Sequence, residues 1–269
     1  MLIPSLETVE RTLAADIAYT ISRMKVLERL PSNPIGIDYR WIDDRAVALR
    51  ARLPSFSRVV GLRAGHEHHL GPLVQWYRDA GMRPTFEMVP GHFVPGLGLE
   101  LQRLGCVHSG FHVSLIAAVP ELAWHAGPEH VERVTTPSAM ESYLDAYVAG
   151  WGIPESEEGV FKANVRPWVE QPGWSLYVVR IDDEPAAAAT LFVHDGVAYL
   201  ADAATVPHFR GRGLQQLLLR RRIADAARLG TELVFSGAAP YSTSHRNMER
   251  VGMRVQFMRA LWTPRSVTI

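Results

Sequence analysis

The chain has 269 residues, with 28 Lys plus Arg balanced by 28 Asp plus Glu and 47% hydrophobic residues. That balance lacks the basic excess of a nucleic-acid binder, no apolar run reaches the ~18 residues of a membrane helix, and the lone cysteine, Cys106, excludes an internal disulfide. With no signal-peptide pattern at Met1-Leu2-Ile3-Pro4, the expectation is a soluble, cytoplasmic globular protein long enough for two domains.

Leu13, Ile17, Ile21 and Met24 recur at helical spacing, which predicts a helix over 5–30 stopped by Pro31. Ile37–Trp41 and Ala46–Ala51 alternate as strands around Asp43-Asp44, and Ser57–Leu62 reads as a third. A helix over 70–80 ends at Gly81, followed by a strand (Thr85–Val89), a helix (Leu97–Leu104), Gly105 and a strand through Leu115. His66-Glu67-His68-His69 offers one helical His pair with a carboxylate beside it. No further cluster completes a metal site, so a polar turn is expected and no metal.

Residues 119–130 carry two prolines and no period, and read as a linker between halves 1–120 and 121–269. Val131–Thr135 is a strand. Ser138 to Gly150 reads as a helix with Ser138 as N-cap and Glu141 completing a capping box. Glu155–Val169 reads as a second helix, Leu176–Ile181 and Pro185–Val193 as a hairpin, and Val197–Ala204 as an apolar strand. The helix from Leu214 to Leu229 should bury Leu219, Ile223, Ala226 and Ala227, leaving Arg220-Arg221-Arg222 as a solvated face or an anion or partner contact. Leu233–Phe235, a helix at Ser244–Val251 capped by Ser244, and Val255–Trp262 close the chain.

One stretch organises the rest: Thr205-Val206-Pro207-His208-Phe209-Arg210-Gly211-Arg212-Gly213-Leu214-Gln215. It joins a strand to a helix through a basic, glycine-containing turn. The first amides of a helix lack internal partners and sit at the positive end of its dipole. Glycines let the backbone approach a bulky anion, and Arg forks suit phosphate. The expected ligand is a phosphate or diphosphate. No Lys-Ser or Lys-Thr pair follows the glycines, which excludes a P-loop. The third glycine and distal acid of a dinucleotide fingerprint are also missing.

The turn Arg210-Gly211-Arg212-Gly213-Leu214-Gln215 resembles the pyrophosphate loop of the GNAT superfamily, the acetyl-CoA-dependent N-acetyltransferases. Gln215 departs, standing where that pattern has Gly or Ala and crowding the diphosphate side. The resemblance implies an α/β (α+β) fold with a mixed, mostly antiparallel central sheet and flanking helices. A faint repeat, Leu101-Gln102-Arg103-Leu104-Gly105-Cys106 against Met248-Glu249-Arg250-Val251-Gly252-Met253, suggests two GNAT-like halves. The first is then degenerate, with Gly-Leu-Arg-Ala-Gly-His at 61–66 in place of the turn. An unrelated α/β domain is the competing reading.

By the same resemblance, backbone at Ala203, Ala204 and Thr205 would hold pantetheine and the acetyl carbonyl, and amides of Arg210 through Gln215 the diphosphate, with Asn247 as a further cofactor-side residue. Acetyl-CoA is the implied co-substrate. The acceptor is a primary amine of a small molecule or peptide, attacking directly in a ternary complex, and a homodimer is compatible. The family's usual acid, a tyrosine, is replaced by Met248, which leaves Tyr241, Ser244 or Asn247, with Tyr241, or water, favoured. Asp202, a carboxylate in a strand of Ala, Leu and Tyr, is the base candidate, against an ion pair with an Arg on the adjacent strand. Glu155, Glu157 and Glu158 are acceptor-pocket candidates or a solvated helix start. Two other readings stay open: a catalytically inactive CoA-binding sensor or scaffold, and a transferase for longer acyl or aminoacyl groups.

Overall fold

A computed structural model describes residues 3–29, 35–52, 56–121 and 130–265. Residues 122–129 of the expected linker lie outside this set. In chain order come α1 (Leu6–Glu28), β1 (Asp38–Trp41), β2 (Val47–Arg50), β3 (Arg58–Val60), α2 (Glu67–Asp79), β4 (Thr85–Met88), α3 (Pro95–Arg103) and β5 (Cys106–Ala118). Then follow β6 (Val131–Arg133), α4 (Pro137–Trp151), α5 (Glu155–Val165), β7 (Trp174–Ile181), β8 (Glu184–His194) and β9 (Val197–Thr205). The last elements are α6 (Leu214–Arg228), β10 (Leu233–Ala238), α7 (Thr243–Arg250) and β11 (Arg254–Pro264).

Two compact units emerge, Pro31–Ser114 with Phe257–Ile269, and Met1–Leu30 with Leu115–Gln256. This grouping differs from a cut at 120/121. Helix α1 packs on β8 and β9, and β11 pairs with β4, so the first helix and the last strand each join the unit distant from them in sequence. In the 31–114 unit, β1, β2 and β3 pair antiparallel, β3 and β4 pair parallel, and β4 pairs antiparallel with β11. In the other unit, β6 through β9 form an antiparallel run, and β9 pairs parallel with β10. The class is the expected one: mixed α/β, mostly antiparallel, flanked by helices.

A parallel pair needs a crossover, here a helix. Each unit has one: β3–α2–β4, and β9–α6–β10. Each crossover helix is followed by a left-handed glycine, Gly81 (φ 67°) and Gly230 (φ 72°), and each next helix by another, Gly105 (φ 78°) and Gly252 (φ 96°). The faint repeat in the sequence thus coincides with a repeat of local structure. In the 31–114 unit, Val59, Phe86 and Met88 pack with Leu70, Leu73, Trp76, Leu97 and Leu101.

Several local readings need correction. The N-cap of α4 is Thr136, whose hydroxyl accepts from the Ala139 amide at 3.1 Å, because Pro137 takes the first helical position. Glu141, read as part of a capping box, instead forms a bidentate pair with Arg166. Helix α5 stops at Val165, and Arg166–Glu170 tightens into a 3₁₀ turn beside Pro167. Ser242, not Ser244, caps α7 by accepting from His245. In α6, Ala227 is exposed while Leu218 and Arg222 are buried, so the buried stripe runs through one of the three arginines.

The 61–66 loop explains itself by packing. Gly61 has φ 87°, and a Cβ there would stand 2.1 Å from the Arg45 carbonyl oxygen. Gly61→Ala is therefore expected to cost about 2 kcal/mol from left-handed strain and overlap, lowering Tm in a calorimetric melt by about 4–8 °C. An unchanged Tm would mean that the backbone there yields freely.

Candidate active site

The β9–α6 turn has the geometry of an anion cradle. Gly211 (φ 82°) and Gly213 (φ 76°) are both left-handed, and a Cβ on either would meet nothing within 4 Å. Gly213 is the N-cap of α6 and brings no side-chain cap. Among the described residues, no backbone carbonyl accepts from the amides of Gly211 through Gln215; the first bonded amide is Gln216, to Gly213 at 2.9 Å. Arg212 is exposed, its guanidinium 5.1 Å from the Phe209 ring. Arg210 does something the sequence did not suggest. Its guanidinium donates to the Thr205 carbonyl (3.2 Å) and the Gly150 carbonyl (3.3 Å), clamping the turn to the end of β9 and to α4.

Gln215 does not crowd the turn. Its amide nitrogen donates to Ser244 Oγ and its oxygen accepts from Asn247 Nδ2, both at 2.7 Å, so its side chain is held on α7. Asn247 Oδ1 also accepts from Arg250 (2.7 Å) and Gln216 (3.3 Å). Asn247 is buried and joins α6 to α7 through these bonds.

Above the turn, β9 parts from β10 and is bulged against β8. Its parallel pairing with β10 covers Val197–Tyr199 against Leu233–Phe235 and goes no further, although β9 continues to Thr205 and β10 to Ala238. Against β8 the register shifts: Thr190 faces Ala201 and Ala188 faces Ala204, so Ala189 alone opposes Asp202 and Ala203. This is a β-bulge, and Asp202 sits in it with φ 47°. Backbone groups of Ala203, Ala204 and Thr205 follow directly.

The Asp202 side chain turns into a cluster that pattern reading missed. The Tyr19 hydroxyl donates to Oδ2, Arg23 Nη1 donates to the Tyr19 oxygen at 3.1 Å, and Arg23 lies 3.8 Å from Oδ1. The ion pair expected with a neighbouring strand comes instead from helix α1, 183 positions away for Tyr19. Trp174 stacks on Tyr19 at 5.1 Å, with Phe192 and Tyr199 edge-on, and Arg23 also lies over Trp168 at 4.9 Å. Burial pushes the Tyr19 phenol well above its ordinary range, and Asp202 adds to this against the opposing charge of Arg23. Tyr143, hydrogen-bonded to Thr190 at 2.9 Å, and Tyr147 are also pushed up, first by burial and then by Asp202. Tyr19 and Arg23 share a helix face at i, i+4 spacing, the one local signal that could have flagged them.

The arginine run also resolves differently from a solvated face. Arg222 is 0% exposed. Its Nε donates to Leu218 (3.0 Å) and its Nη1 to the carbonyls of Thr190 (2.9 Å) and Ala201 (3.0 Å). Burial lowers its pKa to about 10. Arg221 pairs with Asp225 at 3.0 Å.

Tyr241 is 81% exposed with φ 59° and makes no bond to the Asp202 cluster among the described residues; its ring lies 6.3 Å from His245. Met248 is buried. Glu155 and Glu157 are exposed at the start of α5, while Glu158 pairs with Lys162 at 3.4 Å. In the 31–114 unit, His66 bonds Asp43 at 3.0 Å and His68 packs on His69. No helix among the described residues is long and apolar enough to cross a membrane.

No curated protein matches the chain. Residues 121–241 match the acetyltransferase (GNAT) domain family. A GCN5-related N-acetyltransferase from Kribbella flavida shares 19% identity over 94% of this chain and 95% of its own, with a TM-score of 0.61. One from Sphaerobacter thermophilus shares 16% over 81% and 79%, with a TM-score of 0.59. A tandem GNAT protein from the clavulanic acid biosynthesis pathway shares 14% over 93% and 95%, with a TM-score of 0.58. At these identities the likeness to solved structures is one of fold, which the chain shares over most of its length, and residues 121–241 are the part that matches the acetyltransferase (GNAT) domain family.

Proposed function

We propose that the protein is an acetyl-CoA-dependent N-acetyltransferase acting on a primary amine of a small molecule or peptide by direct attack in a ternary complex. The observation that carries this reading is the opening of β9 away from β10 after Tyr199, directly preceding a glycine turn whose amides have no backbone acceptor. The cradle fits a diphosphate because both glycines leave it open. Amides 211–215 would hold the diphosphate, with Arg210 keeping the turn in place. Backbone at Ala203, Ala204 and Thr205 would hold pantetheine and the acyl carbonyl. Acetyl-CoA supplies the activated acyl group.

The chain's own residues must deprotonate an ammonium and protonate a departing thiolate. Asp202 is assigned the first role, as the carboxylate held in the β9 bulge by Tyr19 at Oδ2 and by the ion pair with Arg23 at 3.8 Å. Tyr241 is assigned the second role, its exposure leaving the phenol accessible. The 31–114 unit is read as a degenerate copy without a nucleotide site, because Gly61 is filled by the Arg45 carbonyl where Gly211 and Gly213 are open.

Incubating the protein with acetyl-CoA and a library of primary amines should release free thiol in step with acetylated product. CoA binding without turnover on any amine would favour the sensor or scaffold reading, which Met248 in place of a phenol also supports.

A further inference from the structure

Resting on the acetyl-CoA reading above, we infer that Arg222 is a positioning residue for acyl transfer, holding the β9 bulge open and fixing it to helix α6. A bulge releases main-chain groups from the ladder, and buried carbonyls need donors. Here the carbonyls flanking the bulge, Thr190 on β8 and Ala201 on β9, both accept from the same nitrogen of Arg222. Its Nε donates to Leu218 within α6. One side chain therefore ties both strands at the bulge to the helix whose N-terminus carries the 211–215 amides.

The chemistry of the group argues that packing is not why it is there. A guanidinium buried to 0% exposure is costly, and these three hydrogen bonds all go to main-chain carbonyls rather than to a carboxylate. Removing a buried charge that has no carboxylate partner recovers its desolvation cost, which offsets part of the loss of its hydrogen bonds. What an apolar chain cannot do is donate to the two strand carbonyls beside the bulge. If the bulge anneals, the register of β9 slips by one residue, and a one-residue slip turns every following side chain to the other face. Asp202 would then leave Tyr19, and the amides of Ala203 and Ala204 would turn away from the acyl carbonyl.

The test uses Arg222→Met and Arg222→Lys in the full chain. Lysine keeps a charge but lacks the planar fork that serves the carbonyls together with Leu218. Both variants are expected to bind CoA within about threefold of wild type by calorimetry, because the diphosphate amides are untouched. The preference for acetyl-CoA over CoA should fall, a readout that needs no turnover. With an accepted amine, kcat should drop about a hundredfold, the scale of an ångström misplacement, while KM for the amine changes little. Arg222→Met relieves a buried charge but leaves three carbonyls short of a donor, opposing effects, so its Tm should stay close to that of wild type.

Wild-type kcat in Arg222→Met would overturn the inference. So would a kcat loss matched by equal losses of CoA affinity and Tm, or failure of both variants to fold, each of which marks a merely structural residue. If wild type itself binds no CoA, the functional reading fails and takes the inference with it. If wild type binds and turns over while both variants match it, only the inference fails.

Discussion

Replacing Arg210 by Ala and Gly213 by Val together should weaken CoA binding at least tenfold, about 1.4 kcal/mol. Two effects add. A β-branched residue at φ 76° is strained by about 1–3 kcal/mol and puts side-chain atoms into a cradle that is otherwise open. Loss of Arg210 removes the bonds to Thr205 and Gly150 that keep the turn against β9 and α4. Gly213 is exposed, so the fold tolerates the change better than the site does. Calorimetry with CoA, paired with a melt to show that the variant is folded, checks this. Unchanged affinity in a folded variant would put the nucleotide elsewhere.

Asp202→Asn, on the proposed base role, should lower kcat/KM by about 10²–10⁴-fold, the usual contribution of a general base, and leave CoA affinity alone. The change keeps the shape and the acceptor for Tyr19, but it removes the charge that offsets Arg23, so Tm also falls. Tyr19→Phe separates the two effects: it retains the carboxylate and deletes only the bond to Oδ2. Its loss of kcat/KM should be the smaller. The pH profile adds the sign. An acceptor amine near pKa 10.4 is mostly protonated at neutral pH, so the rate should rise as pH rises toward ~10. Tyr19, Tyr143 and Tyr147, kept neutral by burial, add no falling limb over that range. A falling limb abolished by Tyr241→Phe would confirm Tyr241 as the acid. Full activity in Asp202→Asn would leave the ion pair with Arg23 as the whole role of Asp202.

The turn proposed to hold the cofactor was legible in the sequence because it is built from local rules. Left-handed glycines, a proline that ends strand pairing and the unsatisfied amides of a helix start all lie within the eleven residues from Thr205 to Gln215. Helix and strand positions followed from periodicity, and the glycine-terminated helices of the repeat were visible for the same reason. Cap positions slipped by two residues where neighbouring residues competed, as at Thr136 and Ser138 beside Pro137.

The cluster around Asp202, on the proposed acceptor side, was decided by tertiary structure. Asp202 stood out as an odd carboxylate, but nothing local pairs it with Tyr19 and Arg23, because helix α1 lies far off in sequence and joins this unit only by packing. Periodicity shows which α6 positions share a face, not that Arg222 on that face would find carbonyls freed by a bulge. Bulges and buried charges depend on what the rest of the chain brings to them, and that is settled only when the strands and helices have packed.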